Sequence, residues 1–184
     1  MRKFSAVVAA AVGGMLLLPG VALAAGGWQP VPPEDGPPSS LGPTCDYHSG
    51  FAATDTISVT IDTNRREQMV TTSGDVKTTR TKGTLVLTFA HVDANNKVIK
   101  AVTENVSGPT TRTFNSTTTF GHFVGEGNNW EAFGPHGRAN TGEPGLVFTS
   151  GHVIVDSTGI NPSTATSFSL SGKQEDGCLL LSGS

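Results

Sequence analysis

From Phe51 onward apolar side chains recur at every second position rather than every third or fourth, which is the period of a half-buried strand. Ile57, Val59 and Ile61 stand in phase within Phe51–Asp62, separated by Ser58 and Thr60. Glu67–Thr72 is a weaker segment, and Ser73-Gly74-Asp75 carries turn chemistry. Val76–Val92 is a long strand whose best stretch puts Leu85, Leu87 and Phe89 on one face. Ala94-Asn95-Asn96-Lys97 suits a hairpin turn, because asparagine tolerates positive φ, and Val98–Val106 returns as the partner. Beyond Ser107-Gly108-Pro109, the pattern predicts short strands at Arg112–Asn115, Thr118–Val124 and Trp130–Phe133. It then predicts a clear one at Leu146–Asp156, a plain one at Ser167–Ser171 and a short terminal segment at Cys178–Leu181.

No window after residue 25 keeps apolar residues at helical spacing over three turns, so the expected class is all-β. Short strands with turns between them imply an antiparallel meander. A closed barrel of about eight strands is the expectation, because consecutive hairpins close without long crossovers and closure removes exposed edges. A two-sheet β-sandwich is the alternative.

The first residues do not belong to this pattern. Arg2 and Lys3 precede an apolar run, Phe4–Leu18, and Ala22-Leu23-Ala24 has the small-residue form of a cleavage site. Residues 1–24 therefore read as a secretory signal peptide, residues 25–44 as a linker and residues 45–184 as a single β domain. The linker holds Pro30, Pro32, Pro33, Pro37, Pro38 and Pro43, which favour extended, solvated backbone. It is expected to be disordered or laid loosely on the domain. Removing Arg2 and Lys3 takes the formal charge from −3 to −5, which disfavours nucleic acid and anionic membrane surfaces as partners. No membrane insertion is expected after cleavage, and the protein is expected to be a secreted monomer. Arg65-Arg66 and Lys77, Arg80 and Lys82 cluster, and read as a solvated strand face.

Cys45 and Cys178 are the two cysteines of the chain. In an exported protein an even pair points to a bridge, with free thiols or intermolecular links as the alternatives. Their separation excludes a zinc ribbon and a C-x-x-C redox pair.

Four features occur together: Gly83-Thr84-Leu85-Val86-Leu87-Thr88, Asn105-Val106-Ser107-Gly108-Pro109, Phe148-Thr149-Ser150-Gly151, and a cysteine in a leucine-containing tail. This set resembles a family of small exported proteins of high-GC Gram-positive bacteria. The resemblance spans most of Cys45–Leu181 and implies export, the β fold and a Cys45–Cys178 bridge. It implies no functional residue, since that family has no established activity. The proline-rich lead-in and the surroundings of Asn128-Asn129 depart from it.

Candidate chemistry is sparse. His48, His91, His122, His136 and His152 show neither H-x-x-x-H nor H-x-H spacing. A metal site would need His91, His122 and His152 to gather from neighbouring strands, and none is expected. No G-x-S-x-G elbow is present. Glu104, Glu126 and Glu131 are the carboxylates that a glycosidase-like pair would have to draw on. Trp130, Phe133, His136 and Arg138 lie in the glycine-rich stretch Gly125–Gly145 and are the expected ligand contacts. The expected function is therefore a secreted, non-enzymatic, cofactor-free protein that binds an extracellular small ligand, glycan or protein. The alternatives are an extracellular hydrolase or isomerase using histidine and carboxylate groups, and a structural envelope component.

Overall fold

The computed structural model describes residues 27–32, 37–42, 44–158 and 164–183. The expected leader lies outside them, as do Pro33 and Pro43 of the proline-rich segment. Eight antiparallel strands form one sheet among these residues: β1 Gln29–Pro30, β2 Thr56–Ser73, β3 Val76–Val92, β4 Val98–Asn105, β5 Thr110–Asn115, β6 Phe120–Ala132, β7 Leu146–Thr158 and β8 Ala165–Asp176. The order is β1-β2-β3-β5-β6-β7-β8, with β4 also on β3.

The long hairpin β2–β3 turns at Gly74, where φ is 56°. Strand β3 then serves two partners along one edge. Its second half, Val86–Val92, pairs with β4, and its first half, Val76–Thr81, pairs with β5. The sheet also bends where three glycines lie side by side: Gly127 opposes Gly151, and Gly151 opposes Gly172. Their φ values are 71°, 146° and 154°, which side-chain-bearing residues rarely adopt. A Cβ on Gly151 would meet the Ser171 carbonyl, and one on Gly172 the Ser150 carbonyl. The bent sheet brings its two halves together. Phe89 of β3 stacks edge-on against Phe148 of β7 at 5.0 Å and Trp130 of β6 at 5.4 Å.

Two apolar clusters result. One joins Ile57, Val59, Leu85, Leu87 and Phe89 to Leu146, Phe148 and Leu181 around the disulfide. The other joins Phe123, Phe133, Val147, Val153 and Val155 to Ala165, with Phe168 and Leu170 packed against it. Two short helices occur among the described residues. α1, Pro135–Thr141, starts on a proline and stops at Gly142 with φ 74°. α2, Gly177–Leu181, is capped by Asp176, which accepts from the amides of Cys178 and Leu179. Neither is long enough to produce a helical period.

The all-β antiparallel meander is as expected; its closure into a barrel is not. No ladder among the described residues joins β8 to β1, β2 or β4, so the sheet is open. The outer edge of β2 is already taken. Val31 donates to the Arg66 carbonyl, Leu41 to that of Ile57 and Val59 to that of Ser39, while Gly42 accepts from Ile57. The described residues of the proline-rich segment thus serve as an edge cover rather than as a free linker, which meets the hazard of an exposed strand edge. Sulfur, not strand pairing, ties the extremities together: Cys45 and Cys178 form a disulfide across a separation of 133 residues.

Candidate functional site

Alternation along β3, β5 and β6 puts one set of polar side chains on the inner, concave face of the bend. Lys77, Thr79 and Thr81 come from β3, Thr110 and Arg112 from β5, and Asn129 and Glu131 from β6. Arg66 and Gln68 join them from β2. Phe114, Phe123, Trp130, Leu85 and Val106 supply the apolar lining, and Val31, Pro37, Pro38 and Leu41 of the edge cover complete the wall. Together they line a partly open cavity of about 480 Å³, within the range that binds small molecules.

The electrostatics of this cavity are unusual for a chain of negative net charge. Among the described residues its lining holds three cations, Arg66, Lys77 and Arg112, and one carboxyl group, Glu131. Glu131 is only 2% exposed, and its Oε1 has no hydrogen-bond partner. Burial pushes its carboxyl up to about 7, with the Arg112 charge acting in the opposite direction. Burial, and then the charge of Arg112, pull the Arg66 guanidinium below its usual value. Arg66 Nε donates to Asn64 Oδ1 at 3.0 Å, while its buried Nη2 has no partner. Arg112 lies over the Phe123 ring at 5.3 Å. On the same strand face, Asn129 opposes Thr149, whose buried hydroxyl also lacks a partner.

Of the ligand contacts expected from sequence, Trp130 lines this cavity. Phe133 is fully buried in the second core cluster, edge-on to Phe168 at 5.5 Å. Arg138 is held by the N-terminal loop: it donates to the Thr44 carbonyl at 2.6 Å and to Asp46 Oδ1 at 3.2 Å, and covers the Tyr47 ring at 4.3 Å. His136 falls on α1, and its side chain lies outside the described residues. The basic cluster read as a solvated face divides in two. Arg66 and Lys77 line the cavity, whereas Lys82 sits over Trp28 at 4.1 Å.

Four histidines each meet a carboxylate, in separate places; the loosest is His48, whose Nε2 lies 3.8 Å from Asp176 Oδ2. His91 is buried: its Nε2 lies 2.7 Å from Asp55 Oδ2, its Nδ1 lies 3.2 Å from the Leu181 carbonyl, and Phe51 stacks on its ring at 3.9 Å. The Ala52 amide and His91 hold the Asp55 carboxyl below the usual range. His122 Nδ1 lies 2.6 Å from Asp156 Oδ1, and Ser167 donates to the other oxygen of that carboxylate. His122 pairs with Thr113 in the same register that pairs Arg112 with Phe123. Alternation therefore puts His122 on the face opposite the cavity. His152 meets Glu126 at the surface. Among the described residues no three His, Cys, Asp or Glu side chains group as metal ligands.

Arg66, Arg112 and the buried state of Glu131 escaped the reading from sequence. Arg112 and Phe114 are in phase with Thr110, yet a strand of such mixed polarity gives no sign of which face is inside. Compared with known proteins, the chain matches no family model, no curated protein and no solved structure.

Proposed function

We propose that the chain is an exported binding protein that holds a small molecule in the cavity of its bent sheet. The cavity itself carries this reading: about 480 Å³, walled by aromatic and aliphatic side chains, with a few polar groups converging from four strands. Export is supported by the leader-like residues 1–24, by the disulfide, which belongs to oxidising compartments, and by the resemblance to small exported proteins of high-GC Gram-positive bacteria. The two facing halves of one sheet suit a sandwich-like arrangement. A binding role is favoured over catalysis because the histidine–carboxylate pairs lie apart from the cavity.

Trp130 offers a direct test, since Trp28 is the other tryptophan of the chain. In a Trp28→Phe variant, saturable 1:1 binding of 8-anilino-1-naphthalenesulfonate should quench Trp130 emission by energy transfer. Absence of saturable binding, or binding without transfer from Trp130, would reject the cavity as the site.

A further inference from the structure

We infer that the cavity selects an organic oxyanion, a carboxylate or phosphate head on an apolar body, with Arg66 and Arg112 as the head-group clamp. This rests on the reading of the cavity as the binding site and adds the class of ligand. Arg66 and Arg112 approach from β2 and β5, which are not neighbours in the sheet, and both reach the same concave space. The two are close enough for the charge of Arg112 to disfavour that of Arg66. Among the described residues neither guanidinium forms an ion pair with a carboxylate. The ion pairs found involve Arg138, Lys82 and histidines instead.

Arg66 is half-buried and Arg112 is exposed at the cavity rim; an anion between two such like charges is attracted by both. A planar guanidinium with free donors is the side chain best matched to a carboxylate or phosphate. Arg66 Nη2 is such a donor: it is buried and unpartnered. Glu131, the single carboxyl of the lining among the described residues, does not neutralise the pair. It is buried, its Oε1 is likewise unpartnered, and its charged form is suppressed. Behind the cations, Phe114, Phe123, Trp130, Leu85 and Val106 give the ligand an apolar seat. The cavity therefore pairs a cationic clamp with a hydrophobic body, in a chain whose overall charge is negative.

The test compares two fluorescent probes of nearly equal shape, 8-anilino-1-naphthalenesulfonate and the uncharged N-phenyl-1-naphthylamine. The anionic probe should bind at least about tenfold more tightly. Arg66→Gln and Arg112→Gln should each weaken it by about tenfold or more while leaving the neutral probe unaffected, as expected for loss of a charged hydrogen bond. Arg112→Lys should restore part of the affinity, which guards against a merely misfolded Gln variant. Decanoate or decyl phosphate should displace the anionic probe, and decanol should not. Equal binding of both probes, or displacement by decanol as effective as by decanoate, would overturn the oxyanion assignment while leaving the cavity as a site. Failure of both probes to bind would remove the underlying reading instead.

Discussion

Replacing Glu131 by glutamine isolates the energetic cost of a buried carboxyl. The unfolded chain ionises this group near its ordinary 4.5, whereas the folded chain raises it to about 7 because the group is buried. The folded state therefore holds the proton more tightly. Stability is full below about pH 4.5, declines as pH rises, and is lost in this contribution above about pH 7. At about 1.4 kcal/mol per pH unit, the loss amounts to about 3 kcal/mol. For a domain of this size that lowers Tm by about 6–12 °C between pH 4.5 and pH 8. Glutamine keeps the volume and cannot ionise, so Glu131→Gln should lack this part of the parent's decline in the interval. Calorimetric or circular-dichroism melts of both proteins at half-unit pH steps measure the difference directly, and other titrating groups cancel in the comparison. Parallel Tm–pH curves for parent and variant would show that Glu131 is solvated or paired, and would refute the electrostatics described for the cavity.

Other consequences concern the fold. Cys45→Ser or Cys178→Ser opens a loop of 133 residues; the chain-entropy model assigns this about 5 kcal/mol, so each variant should melt lower under oxidising conditions, and an unchanged curve would show the bridge to be idle. A Cβ on Gly108 would meet the carbonyl oxygens of Glu126 and Asn128, so Gly108→Ala should cost about 1–3 kcal/mol by overpacking, read as a lower urea midpoint; no change would mean that the turn rearranges freely. His91→Ala removes the ring that joins Asp55 to the Leu181 carbonyl; it should lower Tm clearly more than His152→Ala, whose ring is 45% exposed, and equal effects would contradict the buried placement of His91.

The strands that were legible carry a period of two over a covered face, whereas β1, Gln29–Pro30, gave no such signal. Val76–Val92 has the same bounds in sequence and structure. Glu67–Thr72 and all of Phe51–Asp62 but its first five residues belong to one strand, β2, whose middle is too polar to show a period. Trp130–Phe133 belongs to β6 except for its last residue, and β6 runs through the Gly127 bend where alternation alone suggests a break. Closure was not legible, since it depends on what occupies the edge of β2. Proline-rich residues that read as solvated backbone donate to and accept from that edge at the positions where they retain an amide. The turn Asn105–Pro109 was recognised as a motif, and its reason is structural: Gly108 donates to the Asn128 carbonyl and fits only without a side chain. The cavity was the least visible part. Its cations come from segments far apart in sequence, and the ladder register of β2, β3 and β5 puts them on one face of the sheet.

The central claim is that the concave face of the sheet holds an organic anion. Backbone amide chemical shifts of the 15N-labelled protein, titrated with decanoate, test it most directly. The account predicts saturable shifts at Lys77–Thr81, Thr110–Phe114 and Asn129–Ala132, with little change at Ser169–Gly172 of β8. Shifts centred on His122, His152 and Ser167 of the opposite face, or none at all, would contradict it.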